Sequence, residues 1–324
     1  MRTQVRDFID YLLDTARKPL QPLAPARHSE RTKALFAVGL VSFLWGTTWL
    51  ASKRGVSYMP ALQLSGIRQL AGGSLYILYF SLKGYRWPTR SQLLRLTWMS
   101  ILMFVMSNGL STWSVQYIPS GLGAVIGAIT PIWIAVFSLF LFKDTRMNLM
   151  TTTGLLLGFG GILVIFSDYL EALFNSDFLL GILMGIVATM TWALGTLLTV
   201  KHAKEFDPYY GIGWQMFLSG VILTGVAWAT SQRIPLAEIP TVSWYSIAYL
   251  VVVGSIITFA AFIYSLKRLP AAQASVYAYI NPIVAVAIGS LMNDERLNLV
   301  IAGGTAVTLM GVYLVNTGFK KSGS

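Results

Sequence analysis

A chain of 324 residues that is 55% hydrophobic and only 11% charged, with a mean hydropathy of +0.63, cannot cover itself in water. Soluble domains carry roughly 25% charged residues, so the excess apolar surface here must face lipid. The net charge is +11 and there is no cysteine, which excludes disulfides, thiolate catalysis and cysteine-based metal sites. Lys and Arg sit in short segments between apolar runs, a pattern that reports membrane orientation and not a nucleic-acid surface. His28 and His202 both lie outside the apolar runs, so no metal site and no cofactor is expected.

Residues 1–33 form the one sizeable polar segment, expected to be cytoplasmic. Val5, Phe8, Ile9, Leu12 and Leu13 recur there at helical spacing among Arg2, Arg6, Asp7, Asp10 and Asp14, which suits a helix lying on the membrane surface; a disordered tail is the other reading. No uninterrupted apolar run and cleavage site follow the early charges, so it does not read as a signal peptide. About 20 apolar residues are needed per membrane span. On that rule spans fall near 34–53, 61–82, 93–115, 119–142, 149–167, 179–200, 208–230, 242–266, 270–292 and 298–317. The fold class expected is therefore an all-α polytopic membrane protein of ten transmembrane helices. With the N-terminus inside, nineteen of the 24 Lys and Arg fall on the inner side and four (Lys53, Arg54, Arg233, Arg296) outside. That asymmetry places both the N- and C-termini, including a tail at 318–324, in the cytoplasm.

The chain also repeats itself. IPSGLGAVIGAITPIWIAVFSLFLFKDTRMN from Ile118 is echoed by LPAAQASVYAYINPIVAVAIGSLMNDERLN from Leu269, with Pro119 matching Pro270 and Pro131 matching Pro282. Earlier in each half Trp45 matches Trp192, Gly66 matches Gly213, Arg68 matches Gln215 and Gly73 matches Gly220, each 147 residues on. Two repeats, 34–168 and 179–317, thus hold five helices each. An odd number inserts the second upside down relative to the first, the inverted architecture of many secondary transporters.

These residues resemble the EamA-like transporters of the drug/metabolite transporter superfamily. The resemblance covers Ala34 to Asn316 and rests on Trp45-Gly46, on Arg68, on the small-residue run from Pro119 to Pro131 ending near Asp144, and on its echo from Pro270 through Pro282 to Glu295. The first half departs from the family's Gly-Glu-Arg, with Lys-Asp-Thr-Arg in that place. The resemblance implies ten helices as two inverted five-helix repeats, and export or exchange of small metabolites such as amino acids in a cell membrane, a bacterial inner membrane being the first expectation.

Arg68 is the one charge well inside a span, about seven residues or roughly 10 Å from its outer end. An intramembrane charge is a functional candidate; it could bind a carboxylate, or it could snorkel or hold neighbouring helices. Gln215, its counterpart, admits the same two readings. Pro131 and Pro282 sit mid-helix and leave the carbonyls of Gly127 and Ala278 without their usual N–H, so with Thr130 and Asn281 beside them these kinks either line a pathway or pack against neighbours. Polar and aromatic residues pair at i, i+4: Trp45 with Trp49, Asn108 with Thr112, Trp192 with Thr196, Tyr277 with Asn281. With Thr48 they are candidates for a solute cavity, although Trp49, near a helix end, suits an interface anchor. Gly123/Gly127, Gly154/Gly158 and Gly181/Gly185 read as helix-packing motifs that also permit a weak homodimer beside a monomer. Asp144, Glu295 and Arg296 fall at helix ends, as caps or gate charges.

No Asp, Glu, His or Lys lies deep in a span, so a proton relay is missing and coupling to protons should be weak or nil. No catalytic residues are expected, because a membrane-embedded enzyme would need a buried base or metal ligands. A phosphorylated substrate would want several basic residues where only Arg68 is available. The expected partners are lipid and a small solute, most naturally an amino acid or related zwitterion, with hydrophobic or cationic drugs as the alternative.

Overall fold

A computed structural model of the chain describes residues 28–141, 148–202, 206–269, 274, 277–293 and 298–322. The segment 1–27 expected to lie on the membrane surface falls outside them. The described residues are helical almost throughout and contain no strand. In order come α1 (His28–Val56), α2 (Ala61–Leu82), α3 (Arg90–Tyr117) and α4, broken into Ser120–Ala128 and Thr130–Leu141. They are followed by α5 (Leu149–Ser167), α6 (Ser176–His202), α7 (Pro208–Ala229), α8 (Thr241–Leu266), α9 (Tyr277–Asn293) and α10 (Leu299–Ser322).

Among the described residues six helices, α1, α3, α5, α6, α7 and α8, contain stretches long and apolar enough to cross a membrane; α4, α9 and α10 contribute shorter apolar stretches. The chain is a polytopic, all-helical membrane protein. α2 is 22 residues long but less apolar, because Gln63, Ser65, Arg68 and Gln69 crowd its first half. Bulky residues such as Leu156, Leu163 and Trp228 are well over half exposed, which suits contact with lipid tails and not water.

Small residues set how closely the helices approach. A Cβ added at Gly220 of α7 would lie 2.9 Å from the Leu70 Cα of α2, and one at Gly66 of α2 would lie 3.2 Å from the Thr224 N of α7. Rising numbers on one helix meet falling numbers on the other, so α2 and α7 cross antiparallel with their backbones in contact. α5 and α10 do the same: a Cβ at Gly154 would meet the Val315 N at 2.6 Å, and one at Gly304 the Ile165 N at 3.1 Å. Gly46 of α1, the residue after Trp45, leaves room for α9, where Val284 Cβ and the Asn281 carbonyl stand 2.6 and 3.1 Å from where its own Cβ would be.

α3 and α8 each contain a π-helical stretch, Ile101–Gly109 and Leu250–Ile257. Such turns are rare and concentrate at functional sites because they re-aim side chains and loosen the backbone ladder. Here one holds Asn108 and the other Gly254 and Ser255. Capping is local and ordinary elsewhere: Thr89 and Gln92 form a capping box at the start of α3, Asn148 caps α5, and Asp207 accepts from the Tyr209 and Tyr210 N–H groups ahead of α7.

Candidate functional site

Between the helices lies a cavity of about 130 Å³ with walls from α1, α2, α3, α4, α6 and α9. A buried water needs on the order of 10–15 Å³ measured in this way, so the space suits a solute of roughly ten non-hydrogen atoms. The wall is mixed. Aromatic faces come from Trp45, Trp49, Trp192 and Tyr277, neutral polar groups from Thr48, Ser52, Ser107, Asn108, Ser111, Thr112, Thr130, Thr189 and Asn281, and one charge from Arg68.

Arg68 is only 4% exposed. Its Nε donates to Ser255 Oγ and its Nη1 to Asn108 Oδ1, both at 3.1 Å. Both acceptors are neutral and both sit in π-helical stretches. Gly254 lets the guanidinium in, since a Cβ there would stand 3.0 Å from Arg68 Nη2. Burying a charge is costly unless it is paired, and among the described residues this one is paired with hydrogen-bond acceptors but no counter-charge.

One end of the cavity is closed by rings. Trp45 is 5.0 to 5.7 Å, centroid to centroid, from Tyr277, Phe259, Phe262 and Trp192. Trp192 Nε1 donates to the Tyr277 hydroxyl at 3.0 Å, and Trp45 Nε1 donates to the Gly254 carbonyl at 3.2 Å. Buried Trp and Tyr with their polar handles satisfied pack as rigid plugs. Further toward the start of α1 the same end is tied by Arg268 Nε to Glu30 Oε2 at 2.8 Å, by the Tyr264 hydroxyl to the same carboxylate at 3.1 Å, and by Lys267 to Asp207 at 3.8 Å. From Trp45 the cavity runs the other way along α1, toward Ser52.

Of the residues singled out in the sequence, Trp45, Thr48, Arg68, Asn108, Thr112, Thr130, Trp192, Tyr277 and Asn281 are brought together on this one wall. Thr196 and Gln215 are buried elsewhere. Thr196 stands one turn beyond Trp192, past the aromatic plug, and Gln215 lies on α7, where its main-chain carbonyl accepts from Ser100 Oγ of α3 at 2.7 Å while its side-chain Oε1 has no partner among the described residues. Pro131 follows the break in α4, and the Gly127 carbonyl that it deprives of an N–H accepts from Thr130 Oγ1 at 2.8 Å, so that carbonyl is not left bare. Pro282 is carried inside α9 and buried. Asp144, Glu295 and Arg296 fall outside the described residues.

Of the two readings open for Trp49, cavity wall and interface anchor, the structure favours the first. Trp49 lies in the cavity wall, seated on α4 where Gly123 and Gly127 leave room: their added Cβ atoms would be 2.9 and 3.1 Å from the indole. That glycine pair therefore accommodates a side chain, whereas Gly154 admits the backbone of α10. Ser52, Ser107, Ser111 and Thr189 were missed, although Ser111 and Thr189 lie three residues from Asn108 and Trp192, the helical neighbours of residues already chosen.

Comparison with known proteins agrees in kind. A sequence model of the EamA-like transporter family matches twice, over residues 32–167 and 179–317. The inner membrane transporter YedA of Escherichia coli K12 is 29% identical over 88% of this chain and 90% of its own. The transporter YoaV of Bacillus subtilis is 26% identical over 87% and 96%, and the chloroplastic WAT1-related protein At3g02690 of Arabidopsis thaliana is 26% identical over 85% and 67%. One crystal structure shares the fold with a TM-score of 0.66 at 15% identity, over 90% of this chain and 99% of that one.

Proposed function

Because this chain belongs to the EamA-like transporter family, we propose that it is a secondary transporter whose central cavity carries small carboxylate-bearing metabolites, of about amino-acid size, by alternating access. It is a multi-pass membrane protein and not an enzyme. The observation that carries the proposal is Arg68: a guanidinium buried in the membrane, at the wall of a solute-sized cavity built from helices of both halves. A guanidinium forks onto a carboxylate better than onto any neutral group.

The architecture proposed is ten spans in two inverted repeats of five, with both termini cytoplasmic. The distribution of Lys and Arg supports the orientation. The antiparallel crossings of α2 with α7 and of α5 with α10 support the inversion, because helices related by a two-fold axis in the membrane plane must meet antiparallel. In that orientation the cavity opens outward, and the aromatic plug with the Glu30–Arg268 and Asp207–Lys267 pairs closes the cytoplasmic end. Efflux of hydrophobic or cationic drugs is the second reading; the aromatic wall favours it, and the single positive charge opposes it.

The test is counterflow in liposomes of labelled amino-acid-sized acids, with Arg68→Gln beside wild type. Uptake above empty liposomes that falls in the variant supports the proposal; no uptake of any acid, with uptake of a cationic dye, would replace it with the second reading. The absence of cysteine makes the wild type its own background for topology. Cysteines placed at Ser52 and Ser111 should react with a membrane-impermeant thiol reagent from outside, and a cysteine at Thr196 should not.

A further inference from the structure

Among the described residues the cavity contains one charge and nothing that balances it. Arg68 makes its two hydrogen bonds to a hydroxyl and an amide oxygen. Among the described residues the ion pairs involve Glu30 and Asp207 at the far end of the helices; Arg68 has none, and no residue of the cavity wall is Asp or Glu. The sequence agrees from a different direction, because none of its 13 acidic residues falls in the middle of a span. Two of the five guanidinium N–H donors are used; both on Nη2 and one on Nη1 make no hydrogen bond among the described residues and are left for a solute.

We infer that the site selects solutes by net charge: it takes a small monocarboxylate carrying a neutral hydroxyl in preference to the zwitterionic amino acid of the same shape. This rests on the reading of the cavity as the transport site and sharpens its substrate class. A monoanion brings the one charge the cavity lacks and makes the loaded site neutral. An amino acid brings the same carboxylate together with an ammonium, which enters a low-dielectric space beside a guanidinium and meets no carboxylate of its own. Aromatic faces can hold a cation, but Trp45, Trp192 and Tyr277 are packed into one cluster with Phe259 and Phe262, and the Trp49 ring is seated against Gly123 and Gly127. The neutral remainder suits a hydroxyl. The wall's other polar groups include Ser and Thr hydroxyls and the amides of Asn108 and Asn281, and a hydroxyl, being donor and acceptor, can meet any of them.

The experiment compares matched pairs in which ammonium and hydroxyl are exchanged on one skeleton: alanine with lactate, valine with hydroxyisovalerate, phenylalanine with phenyllactate. Binding to purified protein at neutral pH is read by tryptophan fluorescence, since Trp45, Trp49 and Trp192 line the cavity and the readout needs no turnover. At least one hydroxy acid should bind about tenfold or more tightly than its amino acid, the size of one hydrogen bond to a charged group. Arg68→Lys should keep that preference and Arg68→Gln should lose it; the comparison in wild type stands even where a variant fails to fold. Amino acids binding as well as or better than the hydroxy acids in every pair overturns the inference and leaves the transport site intact. Cooperatively folded protein that binds no member of any pair overturns the inference and the proposed function together, for solutes of these sizes.

Discussion

Gly220→Ala tests the contact on which the whole site hangs. Gly220 lies on α7 against Leu70 of α2, two residues from Arg68. The added Cβ would stand 2.5 Å from the Leu70 N, 2.7 Å from its Cγ and 2.9 Å from its Cα. Backbone atoms cannot swing aside as a side-chain tip can. Carbon needs about 3.5 Å from such neighbours, so α2 and α7 must part locally by roughly 1 Å. A gap of that size forfeits about a quarter to a half of each dispersion contact along the crossing, and overpacking of this kind costs about 1–3 kcal/mol.

Gly225→Ala is the control, on the same helix and five residues further on, with nothing within 4 Å of its Cβ position. Both variants share the helix-propensity gain of alanine over glycine, about 1 kcal/mol, so the difference between them isolates the packing term. Unfolding in mixed micelles of a mild detergent and dodecyl sulfate, followed by tryptophan fluorescence, should place Gly220→Ala about 1–3 kcal/mol below Gly225→Ala. Displacing Leu70 also moves Arg68, and its 3.1 Å bonds to Ser255 and Asn108 have little slack before they exceed hydrogen-bond length. Solute affinity should therefore fall in Gly220→Ala and hold in Gly225→Ala. Equal stabilities, within about 0.5 kcal/mol, would refute the backbone contact and with it the argument that α2 is held in place by α7.

Gly254→Ala sets a Cβ 3.0 Å from both Arg68 Nη2 and Thr48 Cγ2; these are side-chain atoms that can yield, so titration should show weakened carboxylate binding with a smaller loss of stability than Gly220→Ala. Gly127→Ala displaces the Trp49 indole, 3.1 Å from the new methyl, into the cavity, and competition assays should show the largest solutes excluded first. Glu30→Gln removes the carboxylate shared by Arg268 and Tyr264 at an exposed site where stability should scarcely change; a cysteine at Thr196 should become more reactive from the cytoplasmic side.

Much of the cavity wall was legible because polar and aromatic residues inside apolar runs are conspicuous and helical spacing sorts them onto faces. Trp45, Asn108, Trp192 and Tyr277 each head such a face and each meets the cavity. Extending the same spacing by one more turn failed at Thr196, because a periodic stripe says nothing of where a neighbouring ring ends the cavity, here the Trp192–Tyr277 hydrogen bond. For Trp49 the sequence left wall and anchor both open because its seat is made by two glycines on another helix, and a position near a helix end is shared by anchors and wall residues alike. The π-helical stretches left no trace in the sequence: ILMFVMSNG and LVVVGSII are apolar runs like the α-helical ones around them, and what distinguishes them is where the backbone bonds go.

Internal repetition explains why Arg68 has the partners it has. Asn108 and Ser255 stand at the same 147-residue offset that relates Trp45 to Trp192, so they are one position of the repeat seen twice, each in a π-helical stretch. A two-fold relation that exchanges the halves exchanges these two residues with each other, and the pair as a whole stays where it is. In the proposed alternating-access cycle, the point at which Arg68 is bonded would be the part of the site that need not move when the halves trade roles, as a binding point at the repeat interface requires. Arg68 itself breaks the symmetry, because its counterpart is the neutral Gln215, buried outside the cavity wall. A repeat faithful at this position would carry two guanidinium groups and call for two negative charges. This one carries a single guanidinium, so in the proposed cycle it would be matched by one carboxylate at a time, whichever side the cavity faces.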